Sequence, residues 1–395
     1  MIPLESVSDG TPLAELTTMR VGGPAERLRV AHDSAELVAL ARELWGEGED
    51  WLLLGGGSNT IVSDEGFPGA VLLVRSAGIE RVDAEHAGEG SDGRVRLRVQ
   101  AGHDWDRLVA ECVANGWAGI EALSGIPGLV GAAPVQNIGA YGAELSSVLH
   151  SIEFLEADTG EVVTMTAAEL ELGYRDSVIK RGLEGVVLSI DLLLSESERR
   201  GRHGDEPGPV LSAPIAYAQL ANALDVELGD RVPISEVRDA VLGLRASKGM
   251  VLDDADHDTW SSGSFFTNPI VTEQFARSLP AEAPRFAVEE GEPAAAVTTF
   301  EELASGVPLR VPRLVTDRRV KLSAAWLIEH SGVPRGYRLP GSGAAISSKH
   351  TLAITNRGGA SAADVAELAR FVVQRVQQEF GVLLVPEPNL YGLEV

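Results

Sequence analysis

The sequence SGIPGLVGAAPVQNIGAYG, residues 124–142, decides the fold of this chain. Repeated glycine and proline suppress a regular helix or strand, yet the segment has no charged side chain, whereas an exposed loop would be polar. We therefore expect it to lie buried against a large flat ligand, which would satisfy backbone N–H and C=O groups that are cut off from water. Disorder fits poorly, because the segment contains Ile, Leu and Val.

A second glycine-rich turn lies earlier in the chain, in LLLGGGSNT at residues 52–60. The leucines predict a buried strand, and the three glycines that follow permit the φ values and the close approach with which backbone N–H groups bind a pyrophosphate. The G-x-G-x-x-G spacing is absent, so an NAD-binding Rossmann fold is not supported. Taken alone, such a turn is more often purely structural.

Length and composition indicate a multidomain globular protein. The chain has 395 residues, with 44% apolar and 23% charged residues, and is longer than one core usually holds. The net charge of −25 argues against nucleic acid and anionic membranes as partners, because both require basic patches. Residues 1–11 do not resemble a signal peptide, and no apolar run reaches membrane-spanning length. We expect a cytoplasmic protein without an obligate protein partner.

Cys112 is the single cysteine, which excludes an intrachain disulfide and any multi-cysteine metal site. It lies on the apolar side of a helical pattern, so we interpret it as a small buried hydrophobe rather than a nucleophile. The sequence therefore predicts no metal site.

Alternating helix and strand patterns predict an α+β organisation. Helices are predicted at 33–45 and 361–380, each with a capping box at its start. Strands are predicted at 51–54, 71–74, 95–99 and 382–385. The polar stretch 195–209 indicates a linker, and 281–312, rich in Ala, Pro and Glu, indicates an insertion. We divide the chain into domains at 12–196 and 197–395.

Three short motifs carry the candidate chemistry. In GSFFTNP, residues 263–269, two aromatic rings pin the backbone and Asn-Pro closes a turn, so the Ser264 hydroxyl would be held rigidly enough to deliver a proton. The other two motifs are YRDS at 174–177 and Pro386-Glu387. Taken alone, each motif also fits a structural role: a buried strand with a hydrogen-bonded serine, a local salt-bridged turn, and an exposed turn residue.

Together, these segments resemble the UDP-N-acetylenolpyruvoylglucosamine reductases, flavoenzymes that complete UDP-N-acetylmuramic acid in bacterial cell-wall synthesis. The similarity runs from residue 18 to Glu387 and is most specific in IPG at 126–128, QNIGAYG at 136–142, YRDS and GSFF. The resemblance implies an α+β fold, in which a two-part FAD-binding domain of the vanillyl-alcohol-oxidase (PCMH) type precedes a smaller α+β substrate-binding domain. It also implies non-covalent FAD, NADPH as the hydride donor and a UDP-sugar enolpyruvyl ether as the substrate.

The resemblance also implies roles for individual residues. Ser264 matches the proton donor, and Arg175 and Glu387 match the pair that polarises the substrate carboxylate and steadies the developing enol. The residues implied to bind FAD are Gly55, Gly56, Gly57, Ser58, Asn59, Gly102, Ser124, Pro127, Gly128, Gly131, Ala132, Val135, Asn137, Gly139 and Tyr141. Those implied to bind the substrate are Tyr174, Tyr217, Lys248 and Asn268.

Two of these matches concern the UDP group. Tyr217 matches the tyrosine that one subgroup of the family places over the uridine end, and Lys248 matches a lysine on the diphosphate. Lys248 follows a predicted helix with Ser235 at its N-cap, and a cation is favourable at a helix C-terminus without any ligand. An acidic insertion, residues 253–258 with four aspartates, departs from the compact family pattern close to this anionic site.

Two other functions also fit the sequence. One is an alcohol oxidase on the same scaffold, with flavin tethered covalently through His103, the only histidine in the matched cofactor loops. The other is a nucleotide-sugar binding protein without redox chemistry, which would be colourless. Flavin retained on the denatured chain would favour the oxidase, whereas the presence of both flavin loops and of the three matched catalytic residues opposes the binding protein.

Overall fold

The computed structural model describes residues 7–82, 93–196, 208–288 and 318–395. The helices in these ranges are α1 (Ser34–Glu47), α2 (Trp105–Asn115), α3 (Ala218–Leu224), α4 (Ile234–Ser247), α5 (Glu273–Ala276), α6 (Ala324–His330) and α7 (Ala362–Phe380). The strands are β1 (Ala25–Ala31), β2 (Trp51–Leu54), β3 (Thr60–Val62), β4 (Phe67–Val74), β5 (Ile79–Arg81), β6 (Arg94–Gln100), β7 (Trp117–Ala118), β8 (Gly139–Ala140), β9 (Ala143–Glu144), β10 (Leu149–Glu156), β11 (Val162–Thr166), β12 (Gly185–Glu196), β13 (Ile270–Thr272), β14 (Arg285–Ala287), β15 (Arg319–Leu322), β16 (Ala344–Ile346), β17 (Ile354–Asn356) and β18 (Asn389–Tyr391).

The first part of the chain forms two main sheets. One is parallel, with the order β1-β4-β2. The other is antiparallel, with the order β11-β10-β12-β6-β5 and β7 paired to β12. The strands predicted at 51–54, 71–74 and 95–99 are confirmed as β2, the end of β4 and the centre of β6.

Helix α1 packs between the two sheets. Asp33 caps its N-terminus with its side chain, as predicted, but the capping box is incomplete, because the Glu36 carboxylate accepts from His32 N–H instead of Asp33 N–H. Gly48 ends the helix in the left-handed conformation. Leu37 on its buried face belongs to the same apolar cluster as Leu72 of β4 and Leu188 of β12. This shared core fixes the two sheets relative to each other.

The last part of the chain packs α7 against α6, β16 and β17. The predicted capping box of Ser361 and Asp364 opens α7, and Gly381 ends it. The N-cap predicted at Ser235 is wrong, because α4 already begins at Ile234, directly after Pro233. Proline sets φ for the chain entering a helix and removes an N–H that the first turn leaves unpaired.

The strand predicted at 382–385 is also wrong. Val385 accepts a hydrogen bond from Thr267 N–H, but Pro386 and Pro388 have no N–H with which to continue a ladder. The final strand is β18, which pairs in parallel with β3 in the first part of the chain. Asn389 N–H donates to the carbonyl of Asn59 at 2.9 Å, so the end of the chain returns to the glycine turn that follows β2.

Two predictions fall partly outside the described residues. Residues 197–207 of the predicted linker and residues 289–312 of the predicted insertion lie outside them, and the division at 196/197 stays a prediction. Within the four described ranges, no helix combines the length and apolar character needed to cross a bilayer. The same ranges hold no group of three or more His, Cys, Asp or Glu side chains arranged for a metal ion.

Candidate active site

One cavity of about 440 Å³ lies where the two glycine-rich segments meet the YRDS turn, the GSFF segment and the end of the chain. Its volume is in the range of cofactor pockets, roughly 300–1,000 Å³. The predicted site residues that line it are Gly55, Gly56, Gly57, Ser58, Asn59, Pro127, Gly128, Gly131, Ala132, Val135, Gly139, Arg175, Ser264 and Glu387. The fold thus brings the three predicted catalytic residues to one wall.

The glycines of this wall are required by close backbone contacts. A Cβ on Gly56 would lie 2.8 Å from Cα of Gly128, so the two glycine-rich segments approach each other without side chains between them. Gly57 has φ +63°, and a Cβ there would lie 2.3 Å from the carbonyl oxygen of Leu16. These turns therefore present backbone, rather than side chains, to the cavity.

Arg175 sits in a tight turn between Gly173 and Asp176 with φ 53°. Its Nη2 donates to the carbonyl of Gly139 at 3.2 Å, which ties the guanidinium to the long glycine-rich segment. Asp176 pairs with Arg181, so a local salt-bridged turn exists as well. Both interpretations of YRDS therefore hold: Asp176 forms the local ion pair, and Arg175 lines the cavity.

Glu387 is buried beside Arg175, with its side chain 11% exposed and its Oε1 3.5 Å from Nε of Arg175. The exposed-turn interpretation of this residue is therefore wrong. Burial raises the pKa of Glu387 above the ordinary value, although the charges of Arg175 and Lys180 oppose the shift. Its N–H donates to the carbonyl of Phe265 at 2.9 Å, which places the carboxyl next to the GSFF segment.

Ser264 is half-buried at the cavity wall, and its hydroxyl makes no hydrogen bond to the described residues. Phe265 and Phe266, which follow it, are 0% and 1% exposed and hold the backbone as the sequence predicts. Phe265 N–H donates to the carbonyl of Leu352 at 2.7 Å. A serine that lines a cavity next to an anchored aromatic pair is suited to donate a proton to a ligand.

Several predicted FAD-binding residues lie behind the wall instead of on it. Gly102 packs against the backbone of Ser76, because a Cβ at residue 102 would lie only 2.5 Å from the backbone N and O of Ser76. The Ser124 hydroxyl donates to the carbonyl of Glu121 at 2.6 Å. The Asn137 amide donates to the carbonyl of Gly173 at 3.0 Å, which braces the Arg175 turn.

Tyr141, Tyr217 and Lys248 form a separate group next to the cavity. The two tyrosine rings are 5.9 Å apart and nearly perpendicular, and Nζ of Lys248 lies 5.6 Å from the centre of the Tyr141 ring. Nζ also donates to Gln219 Oε1 at 2.9 Å. Burial, with the nearby charge of Arg245, lowers the pKa of Lys248.

The other two predicted substrate residues have structural contacts. The ring of Tyr174 lies 4.3 Å from Nζ of Lys321. The Asn268 side chain accepts a hydrogen bond from Ala324 N–H at the start of α6. Neither residue lines the cavity.

Six polar residues line the cavity without being among the predicted site residues: Thr60, Gln136, Lys180, Arg245, Ser262 and Asn389. Arg245 lies in the last turn of α4, three positions before Lys248, which directly follows the helix, and this spacing is the signal that could have found it. Its Nη2 donates to the carbonyl of Met250 at 3.0 Å. Lys180 and Ser262 lie close to YRDS and GSFF in sequence, but their residue types do not indicate that they line a cavity.

The polar atoms of this cavity fit a large polar cofactor such as FAD. Nε of Arg245 and the Ser262 hydroxyl are buried at the wall and have no hydrogen-bond partner among the described residues. Because buried polar groups are nearly always satisfied, a ligand with acceptor atoms would complete both. The side-chain-free glycine turns leave room for that ligand and offer backbone groups to it.

The groups that could tether a flavin covalently lie elsewhere. His103 is 6% exposed and does not line the cavity. Cys112 is buried in α2, as predicted, where desolvation raises its thiol pKa to about 12. Neither residue is placed to bond to a ligand in the cavity.

Comparison with known proteins gives two family matches that together span most of the chain. Residues 25–166 match the model of an FAD-binding domain, and residues 254–391 match that of the UDP-N-acetylenolpyruvoylglucosamine reductase C-terminal domain. The UDP-N-acetylenolpyruvoylglucosamine reductase of Leifsonia xyli is 60% identical over 389 residues, which cover 98% of this chain and 100% of that protein. The protein of that name from Saccharopolyspora erythraea is 47% identical, with 98% and 96% covered.

The crystal structure of UDP-N-acetylenolpyruvylglucosamine reductase from Thermus caldophilus shares the fold. It matches with a TM-score of 0.58 at 24% sequence identity, over 98% of this chain and 99% of that one. The predicted α+β fold, with an FAD-binding domain followed by a second domain, is confirmed.

The fold and the FAD-binding domain define an FAD-dependent oxidoreductase. At 60% identity over nearly its full length to a curated member, the chain belongs to the UDP-N-acetylenolpyruvoylglucosamine reductase family, as its motifs indicate. The subgroup indicated by Tyr217 stays a prediction.

Proposed function

We propose that this protein reduces UDP-N-acetylglucosamine enolpyruvate to UDP-N-acetylmuramate with NADPH, through bound FAD, in the synthesis of peptidoglycan precursors. The observation that carries the proposal is the meeting of Arg175, Ser264 and Glu387 on one cavity wall together with the glycine turns of the FAD-binding domain. Membership of the family supports the same reaction.

Relay of a hydride from NADPH to the enolpyruvyl double bond is the chemistry that FAD supplies when bound. The glycine turn at 55–57 and the segment from Pro127 to Gly131 would hold it through backbone groups. The chain carries a net charge of −25, so anionic ligands need local positive charge. Lys180 and Arg245 supply that charge at the wall.

Arg175 and Glu387 act on the substrate carboxylate. Hydride addition to the double bond puts negative charge on the carbon next to this carboxylate, and stabilising that charge is the main electrostatic task. The planar guanidinium of Arg175 is suited to bind the carboxylate. Glu387 holds a proton more tightly than an exposed glutamate because its pKa is raised by burial, so it can donate a hydrogen bond to the developing enol.

Ser264 completes the reaction by donating its proton to the same carbon. The hydride and this proton together convert the double bond into the saturated lactyl ether, and solvent restores the serine proton. Among the described residues, nothing else hydrogen-bonds to the Ser264 hydroxyl, which leaves it available to the substrate. A positioned acid of this kind contributes about 10²–10⁴-fold to a rate.

Tyr217 and Lys248 would receive the UDP end of the substrate, next to Tyr141, which is predicted to bind FAD. Lys248 is a cation beside the ring of Tyr141, which packs nearly perpendicular to the ring of Tyr217, and this arrangement suits a diphosphate attached to a stackable base. Tyr174 and Asn268 stay secondary candidates, since both already have structural partners. The cytoplasmic location and the lack of an obligate protein partner are further parts of this proposal.

Anaerobic mixing of the yellow holoenzyme tests the proposal. NADPH alone should bleach the flavin absorbance, and the enolpyruvyl sugar nucleotide should then restore it with formation of UDP-N-acetylmuramate. A colourless preparation would favour a binding protein, and flavin that stays on the denatured chain would favour a covalent oxidase. Bleaching that the enolpyruvyl substrate does not reverse would contradict the proposed substrate.

A further inference from the structure

The acidic insertion at residues 253–258 has no task in the proposed chemistry, and none of its residues lines the cavity. Three of its four aspartates bind other parts of the chain. Asp254 pairs with Arg20 near the N-terminal end of the fold, and Asp256 pairs with Lys349 at 2.5 Å. The insertion is therefore a crosslink between distant segments rather than a free acidic surface.

Asp258 is the buried centre of this crosslink, 5% exposed. Its Oδ1 accepts hydrogen bonds from Ser347 Oγ at 3.1 Å, Ser348 N–H at 2.8 Å and Arg357 Nη1 at 2.9 Å. Its Oδ2 accepts from Ser348 Oγ at 2.6 Å. Burial alone would raise the pKa of Asp258, but the bonds from Ser348 and the charge of Arg357 lower it overall, so the carboxylate is ionised.

The chain between Asp258 and Ser264 is held at two of its carbonyls. The carbonyl of Trp260 accepts a hydrogen bond from Asn356 N–H at 2.9 Å. The carbonyl of Ser261 accepts one from the Thr18 hydroxyl at 2.7 Å. Asp258 thus stands at the head of a fixed segment that leads directly to the cavity.

Gly263 forms the turn into Ser264. It has φ +75°, a conformation that favours glycine, and its N–H donates to the Ser261 hydroxyl at 3.2 Å. On the far side, Phe265 is anchored by its bond to Leu352. The position of the Ser264 hydroxyl consequently depends on the anchors before and after the turn.

We propose that Asp258 is a positioning residue: its carboxylate, bound by Ser347, Ser348 and Arg357, fixes the segment that holds the proton-donating hydroxyl of Ser264 against the cavity. The inference rests on the proposed function, in which Ser264 acts only after the flavin has been reduced. Asp258 therefore influences the step that uses the enolpyruvyl substrate and leaves the step that uses NADPH unchanged.

The test is Asp258→Asn in the FAD-loaded enzyme, with the two half-reactions followed separately by stopped flow. The substitution keeps the shape but replaces one acceptor with an N–H₂ group facing donors. Flavin reduction by NADPH should keep its rate, and re-oxidation by the enolpyruvyl substrate should slow about 10–100-fold, the effect of a displacement near 1 Å. In a Ser264→Ala background, Asp258→Asn should slow re-oxidation no further, because both changes act on one group.

Asp253→Asn is the matched control, because within the described ranges its exposed side chain accepts only the N–H of Ala255, and an amide keeps that bond. Its half-reactions should equal those of the wild type. If Asp258→Asn does not retain FAD, Ser348→Ala replaces it in the test, because this variant removes one donor from the same carboxylate. Flavin re-oxidation should then slow by a smaller factor, and flavin reduction should keep its rate.

The positioning role is overturned if Asp258→Asn leaves re-oxidation unchanged or slows both half-reactions equally. It is also overturned if Asp258→Asn slows re-oxidation further in the Ser264→Ala background. Failure of the proposed function would look different, because the wild-type reduced flavin would then not be re-oxidised by the enolpyruvyl substrate at all.

Discussion

Nε of Arg175 lies 3.5 Å from Oε1 of Glu387, and the two residues come from the first and the last part of the fold. Arg175 is tied to Gly139 through its guanidinium, and Glu387 to Phe265 through its backbone N–H. Both partners are thus anchored before any ligand arrives. A preorganised cation beside a carboxyl whose pKa is raised by burial is suited to stabilise an enolate.

Arg175→Lys should slow flavin re-oxidation by the enolpyruvyl substrate about 10²–10³-fold, the usual effect of removing one donor from a developing anion. Lysine keeps the charge but lacks the planar fork that binds a carboxylate and reaches Gly139. Stopped-flow absorbance measures the rate. Arg181→Lys is the control, since Arg181 pairs with Asp176 in the same turn but does not line the cavity. Wild-type re-oxidation in Arg175→Lys would contradict the role of the guanidinium.

Glu387→Gln should make the pH dependence of stability weaker. Because the folded pKa of Glu387 lies above the ordinary value of 4.5, its contribution to stability is fully present below that value and is lost as pH rises through the folded pKa. The variant carries no such proton, so its melting temperature relative to the wild type should increase from pH 4 to pH 8. Thermal unfolding of both holoenzymes from pH 4 to pH 8 measures this difference in melting temperature. A difference that decreases with pH would mean that the fold favours the ionised form of Glu387 instead.

Lys248→Ala should weaken binding of the enolpyruvyl sugar nucleotide about 10–150-fold, corresponding to a charge-assisted bond of roughly 1.5–3 kcal/mol. Tyr217→Phe should weaken it less, because the ring that packs on Tyr141 is kept. Flavin reduction by NADPH should stay nearly intact in both variants. Titration of the oxidised enzyme measures the affinity, with Lys248→Arg as the charge-conserving control. Unchanged affinity in both Lys248→Ala and Tyr217→Phe would remove this group from the site.

Gly56→Ala should abolish or strongly weaken FAD binding. Its Cβ would lie 2.8 Å from Cα of Gly128, so the two glycine-rich segments must move apart. Gly243→Ala is the control, because Gly243 lies in α4 and no atom lies within 4 Å of its Cβ position. This variant should bind FAD normally. Its free energy of unfolding should rise by up to about 1 kcal/mol, because alanine has the higher helix propensity. Flavin content after gel filtration compares them. A fully loaded Gly56→Ala enzyme would show that this contact is not needed.

The sequence predicts local structure well wherever local chemistry decides it. Asp33 and Ser361 cap their helices as expected, and the aromatic pair after Ser264 is buried. The strand predicted at 382–385 is wrong because a local apolar pattern does not show which strand would pair with it. The nearby prolines also have no N–H for a ladder of hydrogen bonds. The pairing of β18 with β3 joins residues from the two ends of the chain, and no local pattern encodes such a contact.

The candidate site shows the same limit. Motif matches indicate Arg175, Ser264 and Glu387, which the fold brings together. They do not separate residues on the cavity wall from those behind it, such as Ser124 and Asn137, whose side chains are bound to neighbouring backbone groups. Which face a loop residue presents depends on tertiary contacts that the sequence does not show.

The proton donated by Ser264 is the central claim, and Ser264→Ala with both half-reactions followed by stopped flow tests it most directly. The variant should bind FAD and be reduced by NADPH at close to the wild-type rate, because the hydroxyl has no structural bond to lose among the described residues. Re-oxidation by the enolpyruvyl substrate should slow by about 10²–10⁴-fold, and Ser264→Cys should keep more of the rate. Equal slowing of both half-reactions, or of neither, would contradict the account.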